Sequence, residues 1–322
     1  MSEPLLEVES LKKFFTMKRG FPNPGTVTVR AVDGVSFRVE RGEAFGLVGE
    51  SGCGKSTVGR GILRLIEPDQ GRVLLDGRDV LTLEKTRLRL LRRRMQIIFQ
   101  DPYSSLNPRR TIGKTLAEPM SVHGLGTRAE ILDRVLALLS EVGLQPDAVD
   151  KFPHELSGGQ RQRIGIARAL LFEPDLIIAD EPVSALDVSI QSQILLLLRG
   201  LQEKHRLSLI FISHDLAVVR YFCQRVAVMY LGRIVEQGSV KSLFDSPLHP
   251  YTRLLRQASP IPDPNVRREV MRLEAEVPSP INPPQGCYFH PRCPDVMDLC
   301  RREYPPWVGL DAHRGAACHL HV

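Results

Sequence analysis

The chain has 322 residues, of which 25% are charged and 43% apolar, with six cysteines and a formal net charge of +6. That length buries a large core, no apolar run of about 18 residues marks a membrane span, and the first residues hold no apolar signal core, so work at a membrane is expected from its cytoplasmic side, by docking on other subunits. The positive charge suits an anionic lipid surface and nucleic acid equally and excludes neither.

In chain order, the first telling element is the apolar run Ala44 to Val48, a predicted strand, which leads into GESGCGKST, Gly49 to Thr57, and a periodic helix over Val58 to Ile66. Strand, G-x-x-x-x-G-K-[ST] and helix in that order predict a phosphate-binding loop. Gly49, Gly52 and Gly54 let the backbone wrap phosphate oxygens, with Glu50, Ser51, Cys53 and Thr57 completing the loop. Lys55 is expected on the β and γ phosphates and the Ser56 hydroxyl on Mg²⁺. Cys53 sits at a free position, with no role of its own, and its thiol is expected to be shielded by bound nucleotide. Short strands and turns such as Asp76-Gly77 are predicted across residues 5 to 100. The densest basic run, Lys85, Arg87, Arg89, Arg92, Arg93 and Arg94, alternates with Leu88, Leu90 and Leu91 and reads as a solvated helix face.

Met95 to Phe99 is a short apolar strand ending at Gln100, a candidate for the metal or the attacking water. Residues 101 to 170 turn helical, as in Arg128 to Val142. Within them lies LSGGQ, Leu156 to Gln160. Ser157 with Gln160 three residues on is a capping-box pattern, and Ile164, Ile166, Ala167, Leu170 and Leu171 follow at helical spacing. Gly158 and Gly159 leave the first-turn N–H groups uncovered, so the positive helix end and the Ser157 hydroxyl can face an anion such as a terminal phosphate; taken alone, the pattern is more often an ordinary capped helix. Leu176 to Ala179 is a buried parallel-type strand ending in Asp180-Glu181. Asp180 suits the Mg²⁺ shell and Glu181, pointing elsewhere, can polarise the attacking water. Ser184 to Asp187, SALD, follows. His214, after the strand Leu209 to Ile212, lies where a contact to the γ-phosphate is wanted.

Beyond residue 245 the composition changes: thirteen of the 24 prolines fall between Ser246 and the C-terminus, which predicts an irregular extension and not a continued α/β layer. Four cysteines lie there, Cys287, Cys293, Cys300 and Cys318, spaced C-x5-C-x6-C-x17-C. A nucleotide-using chain in reducing cytosol argues against disulfides, and four thiolates suit Zn²⁺ or an iron–sulfur cluster, the compact C-x2-C pairs common in zinc sites being absent. His290 and His319 are adjacent and available as substitute ligands or as surface histidines. Cys223, alone in an apolar stretch, reads as a packed core thiol.

GESGCGKST, Gln100, LSGGQ, LIIADE, SALD and His214, in that order, resemble the nucleotide-binding subunit of an ABC transporter, over residues 5 to 245. The resemblance implies an α/β fold: a P-loop NTPase core of the ABC type over residues 1–245, a helical insert subdomain at about 101–170 carrying LSGGQ, and a Pro/Cys-rich extension over 246–322. It also implies a head-to-tail dimer in which the loop of one subunit and the LSGGQ of the other sandwich one ATP. Phe15, with Phe14 close behind, aligns with an aromatic residue that stacks on adenine, unless it is a core residue of the first strand, and Gln100 reports the nucleotide state to the membrane subunits.

FQDPYSSLNPR (Phe99 to Arg109), PHELSGGQRQRIGIARAL (Pro153 to Leu170), DEPVSALDVSIQ (Asp180 to Gln191), HPYTRLL (His249 to Leu255) and VPSPINPP (Val277 to Pro284) are similar to the ATPases of oligopeptide and dipeptide importers, in particular their second, F-type subunit. That similarity implies ATP hydrolysis driving peptide import at the cytoplasmic face of the membrane. Its partners would be a related but distinct second ATPase, two transmembrane permease subunits and an extracytoplasmic peptide-binding protein, with no nucleic acid. In that group the cysteine spacing is associated with a [4Fe-4S] cluster, Zn²⁺ being the alternative. Nickel and glutathione importers share much of this text. An ABC ATPase acting on nucleic acid is a competing reading, but such proteins usually carry two ATPase domains or a long coiled-coil insertion, and this chain has one of each motif and no long heptad run. A regulatory subunit with vestigial motifs conflicts with intact catalytic positions.

Overall fold

The computed structural model describes residues 3–19, 25–101, 103, 105–258 and 278–322; Pro102 and Ser104 of FQDPYSSLNPR and Val277 of VPSPINPP lie outside the described residues. The chain folds as two compact units, Met1–Leu83 with Phe211–Val322, and Glu84–Ile210.

The first unit opens with β1 (Leu6–Arg19) and β2 (Gly25–Val39), antiparallel from Leu6 opposite Val39 to Arg19 opposite Gly25. These strands run 14 and 15 residues, not the short strands expected there. Along β2, Val35, Phe37 and Val39 are buried and the residues between them exposed, the period-two pattern of a half-buried strand. The five residues of β3 (Ala44–Val48) are all buried and lead into the loop and α1 (Lys55–Ile62). A tight turn at Asp76 and Gly77, both with positive φ (53° and 72°), joins β4 (Gln70–Leu75) to β5 (Arg78–Asp79). The antiparallel order is β2-β1-β4-β5.

The second unit begins with α2 (Lys85–Leu91), where Leu88 and Leu91 are buried; Lys85, Arg87 and Arg89 are exposed as expected, but Arg92, Arg93 and Arg94 lie past the helix and are half-buried, Arg94 paired with Asp175 and Arg93 over the Phe172 ring. Next come β6 (Met95–Ile98), α3 (Ile112–Val122) and α4 (Arg128–Glu141), the last opened by a capping box of Thr127 and Glu130. After α5 (Gly158–Leu170), β7 (Leu176–Asp180) pairs parallel with β6, Met95 opposite Leu176, and α6 (Val188–His205) follows.

β8 (Ser208–Ser213) carries the chain back to the first unit, where α7 (Leu216–Phe222) precedes β9 (Arg225–Tyr230), parallel to β3, and β10 (Arg233–Ser239), antiparallel to β9. Two helices, α8 (Val240–Asp245) and α9 (Pro250–Ala258), end this stretch.

In the extension, residues 278–297 hold only turns and one short 3₁₀ helix, as the prolines predict, but the end of the chain departs from that expectation. After α10 (Asp298–Arg302) it forms β11 (Trp307–Gly309) and β12 (Gly315–Ala317), and β12 pairs with β10 at Glu236–Ala316 and Gln237–Gly315, so the layer does continue. The prolines stop at Pro306, which frees every N–H of 307–317 for a ladder, and Gly315, Ala316 and Ala317 are small enough to be buried against β10. Among the described residues no helix is long and apolar enough to cross a membrane.

Candidate nucleotide site

In the first unit, residues 49–57 form the predicted strand–loop–helix turn. Gly54 starts α1 with φ +103, and a Cβ there would stand 2.0 Å from the Ala31 carbonyl oxygen, so only glycine fits. Lys55, 4% exposed, donates from Nζ to the carbonyls of Gly49 (2.7 Å) and Glu50 (3.0 Å). An entering phosphate competes for those donors from inside a loop whose backbone already curls around the ammonium. The Cys53 thiol is buried, 3.8 Å from Lys55 Nζ, and burial pushes its pKa up. The fold itself therefore shields this thiol, with or without nucleotide, which corrects the expectation that nucleotide does so.

The loop has partners that the sequence motif does not contain. The Glu50 N–H donates to the Tyr251 hydroxyl (2.9 Å), and the Glu50 carboxylate accepts from both terminal nitrogens of Arg292 (2.9 Å each). Tyr251 belongs to the HPYT stretch and Arg292 lies between the first two clustered cysteines. Nothing local in the chain marks either residue as a loop partner.

Phe15 pairs opposite Val29 in the β1–β2 ladder and is 36% exposed, with Lys13 Nζ 5.5 Å from its ring centre. It is a surface ring open to stacking, not a core residue. Phe14 is half-buried, its N–H bonded to Asp69 (2.6 Å). His214 is exposed, in a turn fixed on both sides: the Asp215 N–H donates to Ser213 Oγ (3.0 Å) and the Ala217 N–H to Asp215 Oδ1 (2.7 Å).

In the second unit, Asp180 is buried at the end of β7 and Glu181 follows with φ +46, a left-handed conformation that turns its side chain off the strand line. Gln100 Nε2 donates to Glu181 Oε2 (3.0 Å), bringing together two residues 81 positions apart. That bond leaves the amide oxygen of Gln100 as its acceptor for a cation or water. The SALD turn is held from α6, where Gln191 donates to the carbonyls of Val183 (2.9 Å) and Leu186 (3.0 Å). Ser157 and Gln160 make both bonds of the capping box: the Gln160 N–H donates to Ser157 Oγ (3.3 Å) and the Ser157 N–H to Gln160 Oε1 (2.9 Å). The first-turn N–H groups of Gly158 and Gly159 have no intrahelical acceptor. A Cβ on Gly159 would lie 2.7 Å from Ile190 Cγ2, so the helix start packs closely against α6 and a side chain there would displace Ile190.

Cys287, Cys293, Cys300 and Cys318 are all free thiols and line one small cavity in the first unit, together with His290, Asp295 and His319. Burial pushes the Cys287 and Cys293 thiols up to about 11, so they stay protonated at neutral pH unless a cation supplies charge. His290 Nδ1 is bonded to the Cys287 carbonyl (2.9 Å); His319 uses Nε2 on the Glu303 carbonyl (3.0 Å), and its buried Nδ1 has no hydrogen-bond partner. Among the described residues no three such side chains are already disposed as a ligand set for a metal ion. The donor chemistry suits a thiophilic metal or cluster, and the thiols would have to turn toward one another to bind it. Cys223 is buried apart from these, as a core thiol.

Residues 32–184 match the ABC transporter family model, and residues 235–300 match that of the oligopeptide/dipeptide transporter C-terminal region. The chain is 54% identical over 320 residues to a probable peptide ABC transporter ATP-binding protein of Sinorhizobium fredii, covering 99% of this chain and 91% of that one. It is 48% identical over 322 residues to the oligopeptide transport ATP-binding protein AppF of Bacillus subtilis, covering 99% and 98%. Among solved structures, an ATP-binding cassette in a dimeric post-hydrolysis state bound to ADP and Pi superposes with a TM-score of 0.64 at 29% identity, over 73% of this chain and 98% of the other. The structure of cbiO1 from Clostridium perfringens, part of an ABC transporter complex, gives 0.64 at 30% identity, over 76% and 92%.

Proposed function

This chain belongs to the ATP-binding proteins of peptide ABC transporters, and we propose that it is the F-type ATPase subunit of an importer of di- or oligopeptides, working from the cytoplasmic face of the membrane. It is an ATPase whose hydrolysis is coupled to transport. The observation that carries the peptide reading is the match over nearly the whole of two peptide-transport ATP-binding proteins, extension included. Its partners are then a second, related ATPase, two transmembrane permeases and an extracytoplasmic peptide-binding protein. The ATPase domain is residues 1–245, with a helical subdomain at about 101–170 and the extension over 246–322.

In the mechanism we infer, Gly49 to Thr57 wraps the phosphates, Lys55 exchanges its own loop carbonyls for phosphate oxygens, and Phe15 stacks on the adenine. Ser56, Gln100 and Asp180 offer a hydroxyl, an amide oxygen and a carboxylate, a hard oxygen set suited to Mg²⁺, which when bound neutralises phosphate charge. Glu181 accepts a proton from the attacking water, held in place by the Gln100 amide, and His214 contacts the γ-phosphate. Ser157, Gly158, Gly159 and Gln160 serve the ATP held by the partner ATPase, through the positive helix end. Cys287, Cys293, Cys300 and Cys318 would hold a [4Fe-4S] cluster, with Zn²⁺ the alternative; either group supplies the positive charge that lets buried thiolates form and staples an extension with little core of its own.

Affinity purification of the tagged chain from detergent-solubilised membranes tests the assembly. Recovery of a second ATPase and two membrane proteins is expected; recovery of nucleic acid or ribosomes in their place would refute the transporter reading. Anaerobic preparations of the intact chain should carry iron and sulfide that Cys293→Ser removes. Zinc in their place assigns the alternative, and brown colour and iron content unchanged by the substitution would exclude the cysteine site.

A further inference from the structure

The segment between the first two clustered cysteines, Cys287 to Cys293, is shaped to reach into the ATPase core. Its approach is set at Gly286, with φ +68, where a Cβ would stand 2.3 Å from the Cys300 carbonyl oxygen, and by the Cys287 N–H, which donates to that same carbonyl (2.9 Å). A turn of 3₁₀ helix over His290–Arg292 closes it. Three side chains then reach the core: Tyr288 and Arg292 point away from the cysteine cavity, and Phe289 forms part of its wall. The Tyr288 hydroxyl donates to Asp33 of β2 (3.1 Å). Phe289, 1% exposed, packs its ring 5.3 Å from Tyr230 and 5.4 Å from Tyr251.

The third is Arg292. Its side chain is 4% exposed, and its two terminal nitrogens grip the Glu50 carboxylate end-on at 2.9 Å each, with the Tyr230 hydroxyl 3.4 Å away. A bidentate guanidinium–carboxylate pair fixes direction as well as distance. Glu50 is the second residue of the nucleotide loop, and the pair is one of three restraints on it. Its N–H is held by Tyr251 and its carbonyl receives the Lys55 ammonium. Without Arg292, a carboxylate would stand uncompensated in a loop built to receive phosphate oxygens, and one such charge near the phosphates is worth about tenfold in affinity.

We propose that Arg292 is a positioning residue for nucleotide binding: from the cysteine-bearing extension it neutralises Glu50 and holds the second residue of the loop in its phosphate-binding form. This rests on the reading of residues 49–57 as the ATP-binding loop. The extension is thereby a structural part of the ATP site, and the interval of five residues between Cys287 and Cys293 is the length that delivers Arg292 to Glu50.

The test is the MgATP dissociation constant of the purified full chain, with thermal melting alongside. R292Q is expected to weaken MgATP binding about tenfold. R292K, which restores the charge without the fork, should recover most of that loss. E50Q added to R292Q should also recover affinity, because the uncompensated carboxylate is gone; general damage to the fold would be deepened by a second substitution, not reversed. Unchanged affinity in R292Q, or no recovery in the E50Q/R292Q pair, overturns the proposal. Should R292Q fail to fold, R292K and the double variant carry the same comparison: MgATP affinity within about threefold of the wild type in both supports the proposal, and a loss of about tenfold in either overturns it. K55A separates the two readings: if it binds MgATP like the wild type, the loop assignment fails; if it loses binding while R292Q does not, only the role of Arg292 fails.

Discussion

Replacing Glu181 by glutamine and by glycine separates its chemical task from the backbone strain it bears. Its φ of +46 places a non-glycine residue in the left-handed region, at a cost of about 1 to 2 kcal/mol. Glycine removes that cost but loses more backbone entropy on folding, so its net gain over alanine, which keeps the strain, is about half of it, or a rise in Tm of about 2 °C. Glutamine keeps the strain, keeps an oxygen to accept from Gln100 Nε2, and removes the negative charge, as glycine also does. Glycine also loses the Gln100 bond, so Glu181→Ala, which loses it too but keeps the strain, is the comparison that leaves the backbone. Both should lose about a hundredfold or more in phosphate release, the usual share of a general base, while still binding MgATP. The assay is single-turnover phosphate release together with nucleotide retained on the protein and thermal melting of each variant. Wild-type hydrolysis by Glu181→Gln would refute the choice of base, and Glu181→Gly melting no higher than Glu181→Ala would refute the strain.

Gly159→Ala puts a methyl 2.7 Å from Ile190 Cγ2 and should destabilise the second unit by about 1 to 3 kcal/mol, read by urea unfolding; Ile190→Ala removes that contact and should restore part of the loss, whereas additive losses would refute the packing account. Acid should weaken the first unit through His249. Burial first, then the nearby charges of Arg253 and His321, lowers its pKa from 6.5 to about 3, and its Nδ1 already accepts the Tyr251 N–H. The unfolded chain takes up this proton as pH falls through 6.5 while the folded chain refuses it, so the stabilisation is complete above that pH and about 2 kcal/mol of it is gone by pH 5. Glu236, raised by burial and bonded to the Leu248 and His249 N–H groups, works in the opposite direction. The decisive quantity is therefore the difference in stability between pH 7.5 and 5 for the wild type against His249→Gln: equal slopes would exclude His249 as the source.

Much of the site was legible because its pieces are local. A phosphate loop needs glycines and a lysine within nine residues of one another, between a strand and a helix, and Gly49 to Thr57 states that in the chain itself. The Ser157–Gln160 capping box and the buried strand ending in Asp180-Glu181 are likewise short-range patterns, set by backbone periodicity before any packing. The extension was less legible. Its prolines signalled irregular chain, yet the stretch after Pro306 has free N–H groups and small residues, and whether these find a sheet edge depends on β10, about 80 residues earlier.

The sequence by itself determined the chemistry of this protein: a nucleotide loop, an acidic strand end, a glycine-bearing helix cap and four clustered thiols, each defined by residues that lie near one another along the chain. Only the tertiary structure decided what those pieces touch. It buried Cys53, exposed Phe15, joined Gln100 to Glu181 across 81 positions and Arg292 to Glu50 across 242, and gathered four cysteines at one cavity. The reason is physical: helices, turns and loops answer to neighbours a few residues away, whereas an ion pair or a cavity lining exists only once packing has brought distant segments within a few ångströms.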